Sequence, residues 1–237
     1  MKEDEKMSEE KVVIFDLDGT LLDTLCDLGD SLNRMLVHFG YPTYSYDRVK
    51  EMVGNGATVL TLRAIPDGEN NPRAEECVSY FRRNYNDKSN KKTKPYDGII
   101  ILLDRLKEHG IHTAVVTNKP HHAATAICES FFGDRLDIVI GDREGIRRKP
   151  CPDSVFEVMN KLGAKSAVYV GDADTDIETA RNAGIPSVSV TWGFRDRAFL
   201  IEHGAERLVD DANGLALNLG LLLGEDLGEI ASAEDKR

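Results

Sequence analysis

The sequence predicts an α/β protein: a Rossmann-like parallel sheet flanked by helices, with an all-helical block inserted after the first strand. Three observations carry this. A short β-branched run, Val12-Val13-Ile14-Phe15, stops abruptly at Asp16. A long stretch of helical periodicity follows, over residues 22–92. From Gly98 onward, strand-like and helix-like segments alternate, as they do when parallel strands are joined by crossover helices.

The first strand is apolar at every position, as a strand buried on both faces of a parallel sheet must be. Within the block, Leu25, Leu28, Leu32, Met35, Leu36 and Phe39 recur on one helix face until Gly40 and Pro42 stop the run. A shorter helix is expected over 46–53, broken by Gly54-Asn55-Gly56, and another over 57–65 before Pro66. Asn71-Pro72 has the chemistry of a cap followed by a first-turn proline, and Cys77, Val78, Phe81 and Tyr85 form the stripe behind it. The polar, basic segment 88–94 reads as a linker. Beyond it, helices are expected over 98–109, 120–132, 175–183, near 197–203 and at the C-terminal end. One more starts at Pro152, with Val155, Phe156, Met159 and Leu162 on one face. Strands are expected over 111–116, 137–140, 167–170, 187–190 and 207–209. The core is then 1–21 with 98–237, and the helical insertion is 22–97.

The 237 residues carry 41 Asp and Glu against 30 Lys and Arg, a net charge of −11. Such a surface repels polyanions, which argues against nucleic acid and anionic membrane as partners. A phosphate site on it must be locally positive or hold a cation. Cys26, Cys77, Cys128 and Cys151 are far apart and form no C-x-x-C pair, so neither a zinc site nor a disulfide framework is expected, and reduced thiols in a cytoplasmic protein fit best. Residues 1–11 are a charged run without the apolar centre of a signal peptide, and residues 1–10 read as a solvated tail. The least polar stretch, 212–224, is too short to span a bilayer.

Ligands bind open parallel sheets at the carboxyl ends of their strands. Asp16-Leu17-Asp18-Gly19-Thr20 follows the first strand. Thr117-Asn118-Lys119 follows another, and Gly171-Asp172 with Asp174 and Asp176 a third; Lys149 precedes a helix in a proline-flanked segment. Crowded carboxylates need a cation, and hard oxygen ligands favour Mg²⁺ over zinc or copper. Asp16 is ionised at neutral pH and needs no base to become a nucleophile. Asp18, two residues on in extended backbone, shares its side and can protonate the leaving oxygen. The Gly19 turn frees backbone N–H groups for phosphate oxygens, which makes Leu17 and Gly19 phosphate-binding positions. Thr117 and Asn118 can donate to the transferring group, and Lys149 can neutralise charge on it and on Asp16.

These segments resemble the four motifs of the haloacid dehalogenase-like hydrolases: D-x-D-G-T at Asp16–Thr20, a hydrophobic strand ending in Thr117, a lysine at Lys149, and G-D-x-x-x-D at Gly171–Asp176. The resemblance covers almost the whole chain. It implies an aspartyl-phosphate on Asp16 and Mg²⁺ held by the Asp16 side chain, the Asp18 carbonyl and Asp172, with Asp176 supporting them from behind. The insertion resembles the small helical cap of the branch that includes phosphoglycolate phosphatases and β-phosphoglucomutases. Val53-Gly54-Asn55-Gly56-Ala57 and Lys149-Pro150-x-Pro152-Asp153 look most like the former. The implied substrate is a small phosphorylated metabolite such as 2-phosphoglycolate, with Gly54, Asn55 and Gly56 touching it and the enzyme a monomer or homodimer. Pyrophosphate, sugar phosphates and nucleotides are the alternatives, ahead of a mutase or a non-catalytic binding protein. Asp174 reads as a helix first-turn acid, Gly141-Asp142 as a turn, and adjacent His121 and His122 as pointing apart, without a shared metal.

Overall fold

In a computed structural model of the chain, residues 10–54, 56–85 and 92–230 are described. The elements run β1 (Lys11–Phe15), β2 (Leu22–Asp23), α1 (Leu25–Phe39), α2 (Tyr46–Met52), α3 (Gly56–Ala64), α4 (Ala74–Tyr85), β3 (Lys94–Pro95), α5 (Ile99–Glu108), β4 (His112–Pro120), α6 (His121–Phe132), β5 (Ile138–Asp142), α7 (Asp153–Leu162), β6 (Ser166–Gly171), α8 (Asp174–Ala183), β7 (Ser187–Val190), α9 (Arg197–Glu202), β8 (Leu208–Val209) and α10 (Ala212–Leu223). Six strands form one sheet in the order β5-β4-β1-β6-β7-β8, and every pairing in it is parallel.

Alternation along the strands fills two cores. In β1, Val13 and Phe15 face one side with Val115, Val168 and Val170, covered by residues of α5, α6 and α10. Val12 and Ile14 face the other with Ala114, Val116 and Tyr169, covered by Val155 and Val158 of α7 and Ala180 of α8. This two-sided cover explains the apolar reading of β1. Helices α1 to α4 pack on one another around a third cluster, in which Leu32, Met35, Leu36, Cys77 and Phe81 are fully enclosed. Gly40 ends α1 in a left-handed conformation, its N–H donating to the carbonyls of Leu36 and Val37. Asn71 Oδ1 accepts from the Arg73 N–H, the expected cap ahead of α4.

Three expectations need correction. The inserted stretch is not all helical: β2 and β3 pair antiparallel at its two ends, Leu22 with Pro95 and Asp23 with Lys94. Two-residue strands are too short to show a period of two. Strand β4 runs on through Thr117, Asn118 and Lys119, which were expected after it. Gly141 and Asp142 lie in β5 rather than in a turn. The tail 1–9, Asn55 and most of the linker lie outside the described residues. Among those described, no helix is long and apolar enough to cross a membrane, and all four cysteines are unpaired.

Candidate active site

The site lies where β1, β4 and β6 end beneath the helical block. Asp16 is still in the ladder, its N–H donating to the Val170 carbonyl at 2.8 Å. Its Oδ1 accepts from Lys149 Nζ at 2.8 Å, and the same ammonium donates to Asp176 Oδ1 at 2.7 Å. Asp176, in the first turn of α8, accepts at Oδ2 from the N–H groups of Asp172 and Ala173, at 3.1 and 3.0 Å. Asp172 accepts from the Thr20 hydroxyl at 3.0 Å and from the Phe194 N–H at 2.7 Å. Oxygens of Asp16, Asp172 and Asp176 lie within 4.8 Å of one another, and all three residues are buried.

Three enclosed carboxylates against one lysine leave a local excess of negative charge. Burial pushes the Asp16 carboxyl up to about 6, against the pull of Lys149, with Asp176 adding to the rise. Burial, then Asp176 and Asp16, push Asp172 well above the usual carboxylate range. Burial works against the Lys149 ammonium, but Asp16 and Asp176 outweigh it and hold the group well above the ordinary lysine value. A divalent cation fits such a site: the donors are hard oxygens, and Asp16 and Asp172 keep lone pairs beyond those used within the protein. Asp176 has both oxygens committed to N–H donors and Lys149, which suits support rather than ligation.

Asp18 points elsewhere. Both its oxygens accept from Lys119 Nζ, at 3.0 and 3.1 Å. Lys119 also donates to the Tyr85 hydroxyl at 2.7 Å, so a residue of α4 completes the surroundings of Asp18. Asp18 and Tyr85 more than offset the burial of Lys119 and keep its ammonium raised, while burial pushes the Tyr85 phenol up to about 12. Lys119, Tyr85 and Thr20 were not singled out in the sequence. Lys119 could have been, as the third polar residue after a predicted strand; the partnership with Tyr85 spans 34 positions and carries no local signal.

Asp16, Asp18, Thr117, Asn118, Lys149, Asp172 and Asp176 line one cavity of about 70 Å³ with Gly54 and Gly56 of the helical block. Thr117 and Asn118 are buried; Asn118 Nδ2 donates to the Lys149 carbonyl at 3.3 Å, and its Oδ1 is enclosed without a partner. Asn55 lies outside the described residues. Leu17 and Gly19 do not line the cavity. The Leu17 side chain is in the core, and the Gly19 N–H donates to the Leu22 carbonyl at 2.9 Å, so the turn itself uses the group expected to meet phosphate. Gly19 serves another need: at φ +92° it is left-handed, and a Cβ there would overlap the Asp172 carboxylate. His121 Nδ1 accepts from the Gly141 N–H, Asp142 pairs with Arg148 at 3.3 Å, and Asp174 lies 4.0 Å from Arg195. None of these three lines the cavity.

The loop after β7 closes the site from the side. The Phe194 ring packs into the cluster of the helical block while its N–H holds Asp172. Arg195 donates to the carbonyls of Glu51 and Val53 at the end of α2, at 3.2 and 2.7 Å.

Comparison with known proteins agrees with this geometry. The family model described as haloacid dehalogenase-like hydrolase matches residues 13–190. Phosphoglycolate phosphatase of Agrobacterium fabrum is 35% identical over 211 residues, covering 84% of this chain and 88% of its own. That of Pseudomonas syringae pv. tomato is 33% identical over 213 residues, covering 86% and 78%. A crystal structure of a candidate phosphoglycolate phosphatase from Lactobacillus delbrueckii subsp. bulgaricus superposes with a TM-score of 0.85 at 34% identity, covering 92% of this chain and 100% of that one. With the four motifs gathered around one cavity and the match running through all of them, the chain belongs to the haloacid dehalogenase-like hydrolase family, on its phosphoglycolate phosphatase-like branch.

Proposed function

We propose that this phosphoric monoester hydrolase depends on Mg²⁺ and cleaves a small phosphomonoester, preferentially 2-phosphoglycolate, through a phosphoryl group carried on Asp16. The observation that carries the reading is the placement of two carboxylates with separate partners. Asp16 is bound to Lys149, in the loop before α7, and Asp18 to Lys119 of β4, which also donates to Tyr85 of the helical block. Environments that divide two acids in this way assign them different roles.

Asp16 attacks phosphorus, forming a P–O bond to its carboxylate as the bond to the leaving oxygen breaks. In-line displacement sends that oxygen away from Asp16, towards the helical block, where Asp18, carrying a proton taken up with the substrate, gives it that proton. Asp18, now a carboxylate, takes a proton from the water that attacks the aspartyl-phosphate. Inorganic phosphate departs and Asp16 is restored. Lys149 orients Asp16 and offsets charge on the phosphoryl oxygens; Thr117 and Asn118 donate to them. Bound Mg²⁺, held by Asp16 and Asp172 with the Asp18 carbonyl, would neutralise charge between the nucleophile and the phosphate. The helical block acts as a cap, with Gly54, Asn55 and Gly56 at the substrate and bulk water excluded.

The test is hydrolysis of p-nitrophenyl phosphate with Mg²⁺ by the wild-type enzyme and by Asp16→Asn. The variant should lose turnover while retaining its fold. Equal rates would remove Asp16 as nucleophile. A panel of 2-phosphoglycolate, pyrophosphate, sugar phosphates and nucleotides ranks the substrates by kcat/KM.

A further inference from the structure

The cations around the cavity are not equivalent. Lys149 is committed to Asp16 and Asp176, and Lys119 to Asp18 and Tyr85. The third cation, Arg82 of α4, faces no carboxylate within ion-pair distance among the described residues. Its Nη2 donates to the Thr58 hydroxyl of α3 at 2.7 Å, a neutral partner that fixes the guanidinium without discharging it. Phe81 and Tyr85, on the same helix, form the inner wall, while Arg82 is exposed and stands at the mouth.

Apart from Gly54, Gly56 and the Tyr85 hydroxyl, which already accepts from Lys119, the rest of the block's wall is apolar: Leu28, Val53, Ala57, Leu60 and Phe81. Because displacement at phosphorus is in line, whatever the phosphate was attached to points at this wall. A sugar would bring hydroxyls to a surface with few partners for them, and each buried unpaired hydroxyl costs affinity. A short acid would bring one negative charge to the cavity cation that faces none among the described residues.

We propose that Arg82, anchored by Thr58, is the subsite for an anionic leaving group, and that it takes the carboxylate of a short phosphorylated acid. This rests on the substrate reading above. A guanidinium can hold a carboxylate through two parallel N–H bonds, which a lysine cannot reproduce.

The experiment compares 2-phosphoglycolate with ethyl phosphate, in which a methyl group replaces the carboxylate, in wild type, Arg82→Met and Arg82→Lys. Pyrophosphate serves as a second anionic leaving group. Wild type should prefer 2-phosphoglycolate, and Arg82→Met should cut that preference by about tenfold or more, mainly through KM. Arg82→Lys should retain part of it, and raised salt should erode the wild-type preference but not what remains in Arg82→Met. An unchanged preference in Arg82→Met overturns the subsite while leaving the substrate reading intact. A wild type indifferent between the two esters overturns that reading and the subsite with it. Loss in Arg82→Met confined to pyrophosphate overturns the carboxylate assignment and makes the leaving group a phosphate.

Discussion

The Asp18–Lys119 pair should respond to mutation asymmetrically, because its two members are not equally buried. The Lys119 side chain is 4% exposed and that of Asp18 is 18% exposed. Asp18→Asn leaves the ammonium enclosed opposite a neutral group. Breaking a buried pair this way costs about 3–5 kcal/mol. The low end applies here, since the amide oxygen still accepts a hydrogen bond and the other carboxylates are relieved of a like charge. Lys119→Met keeps the volume and leaves Asp18 able to recover water. Its cost should be about 1–2 kcal/mol, mostly the hydrogen bond lost to Tyr85. The double variant then removes both charges, and it should be more stable than Asp18→Asn alone. Urea unfolding at neutral pH with EDTA present measures all four proteins, with stabilities compared at equal m. A double variant less stable than Asp18→Asn would refute the claim that the buried, unpaired ammonium dominates.

Other consequences are simpler. Mg²⁺ should raise the thermal midpoint, by an amount corresponding to about 2.7 kcal/mol at a hundred times its dissociation constant, and calorimetry should show the effect lost in Asp172→Asn. Gly19→Ala should destabilise by at least about 1 kcal/mol from backbone strain alone; it should also abolish Mg²⁺ binding, because its Cβ overlaps Asp172. Arg195→Met should raise KM more than it lowers kcat, and Arg195→Lys should not restore it, since one ammonium cannot reproduce a fork spanning several carbonyls; steady-state kinetics on the preferred ester decides both.

The strand-end acids were legible because a parallel sheet makes one edge chemically special. An apolar run that stops at Asp16, and another that stops at Asp172, say where ligands gather without any knowledge of neighbours. The helices of the insertion were legible for a similar reason, since Leu28, Leu32 and Leu36 repeat at helical spacing. What the pattern missed depends on contacts between distant segments. Thr20 meets Asp172 across 152 positions, and Lys119 meets Asp18 across 101. The Gly19 turn was misjudged because its N–H was assigned to a ligand before the turn's own needs were met. At Gly19 that N–H is taken by the Leu22 carbonyl, because a buried backbone donor is paired within the turn where the turn can pair it.

The loop after β7 shows why the metal site and the cap cannot be treated separately. Trp192 Nε1 donates to the Thr20 carbonyl at 3.1 Å, Thr20 donates to Asp172, and the Phe194 N–H holds the second oxygen of Asp172. The next side chain, Arg195, grips the end of α2, immediately before Gly54, which lines the cavity with Gly56. The donors that orient the proposed metal-binding carboxylate and those that grip the helical block thus belong to neighbouring residues of one short segment. A displacement of α2 acts on Arg195 and, through the buried Phe194 ring, on Asp172. If the helical block moves on the core as proposed, whatever strengthens the arrangement of Asp172, a bound cation above all, favours by linkage the state in which Arg195 and Phe194 stay seated, and that state tightens cation binding by the same factor.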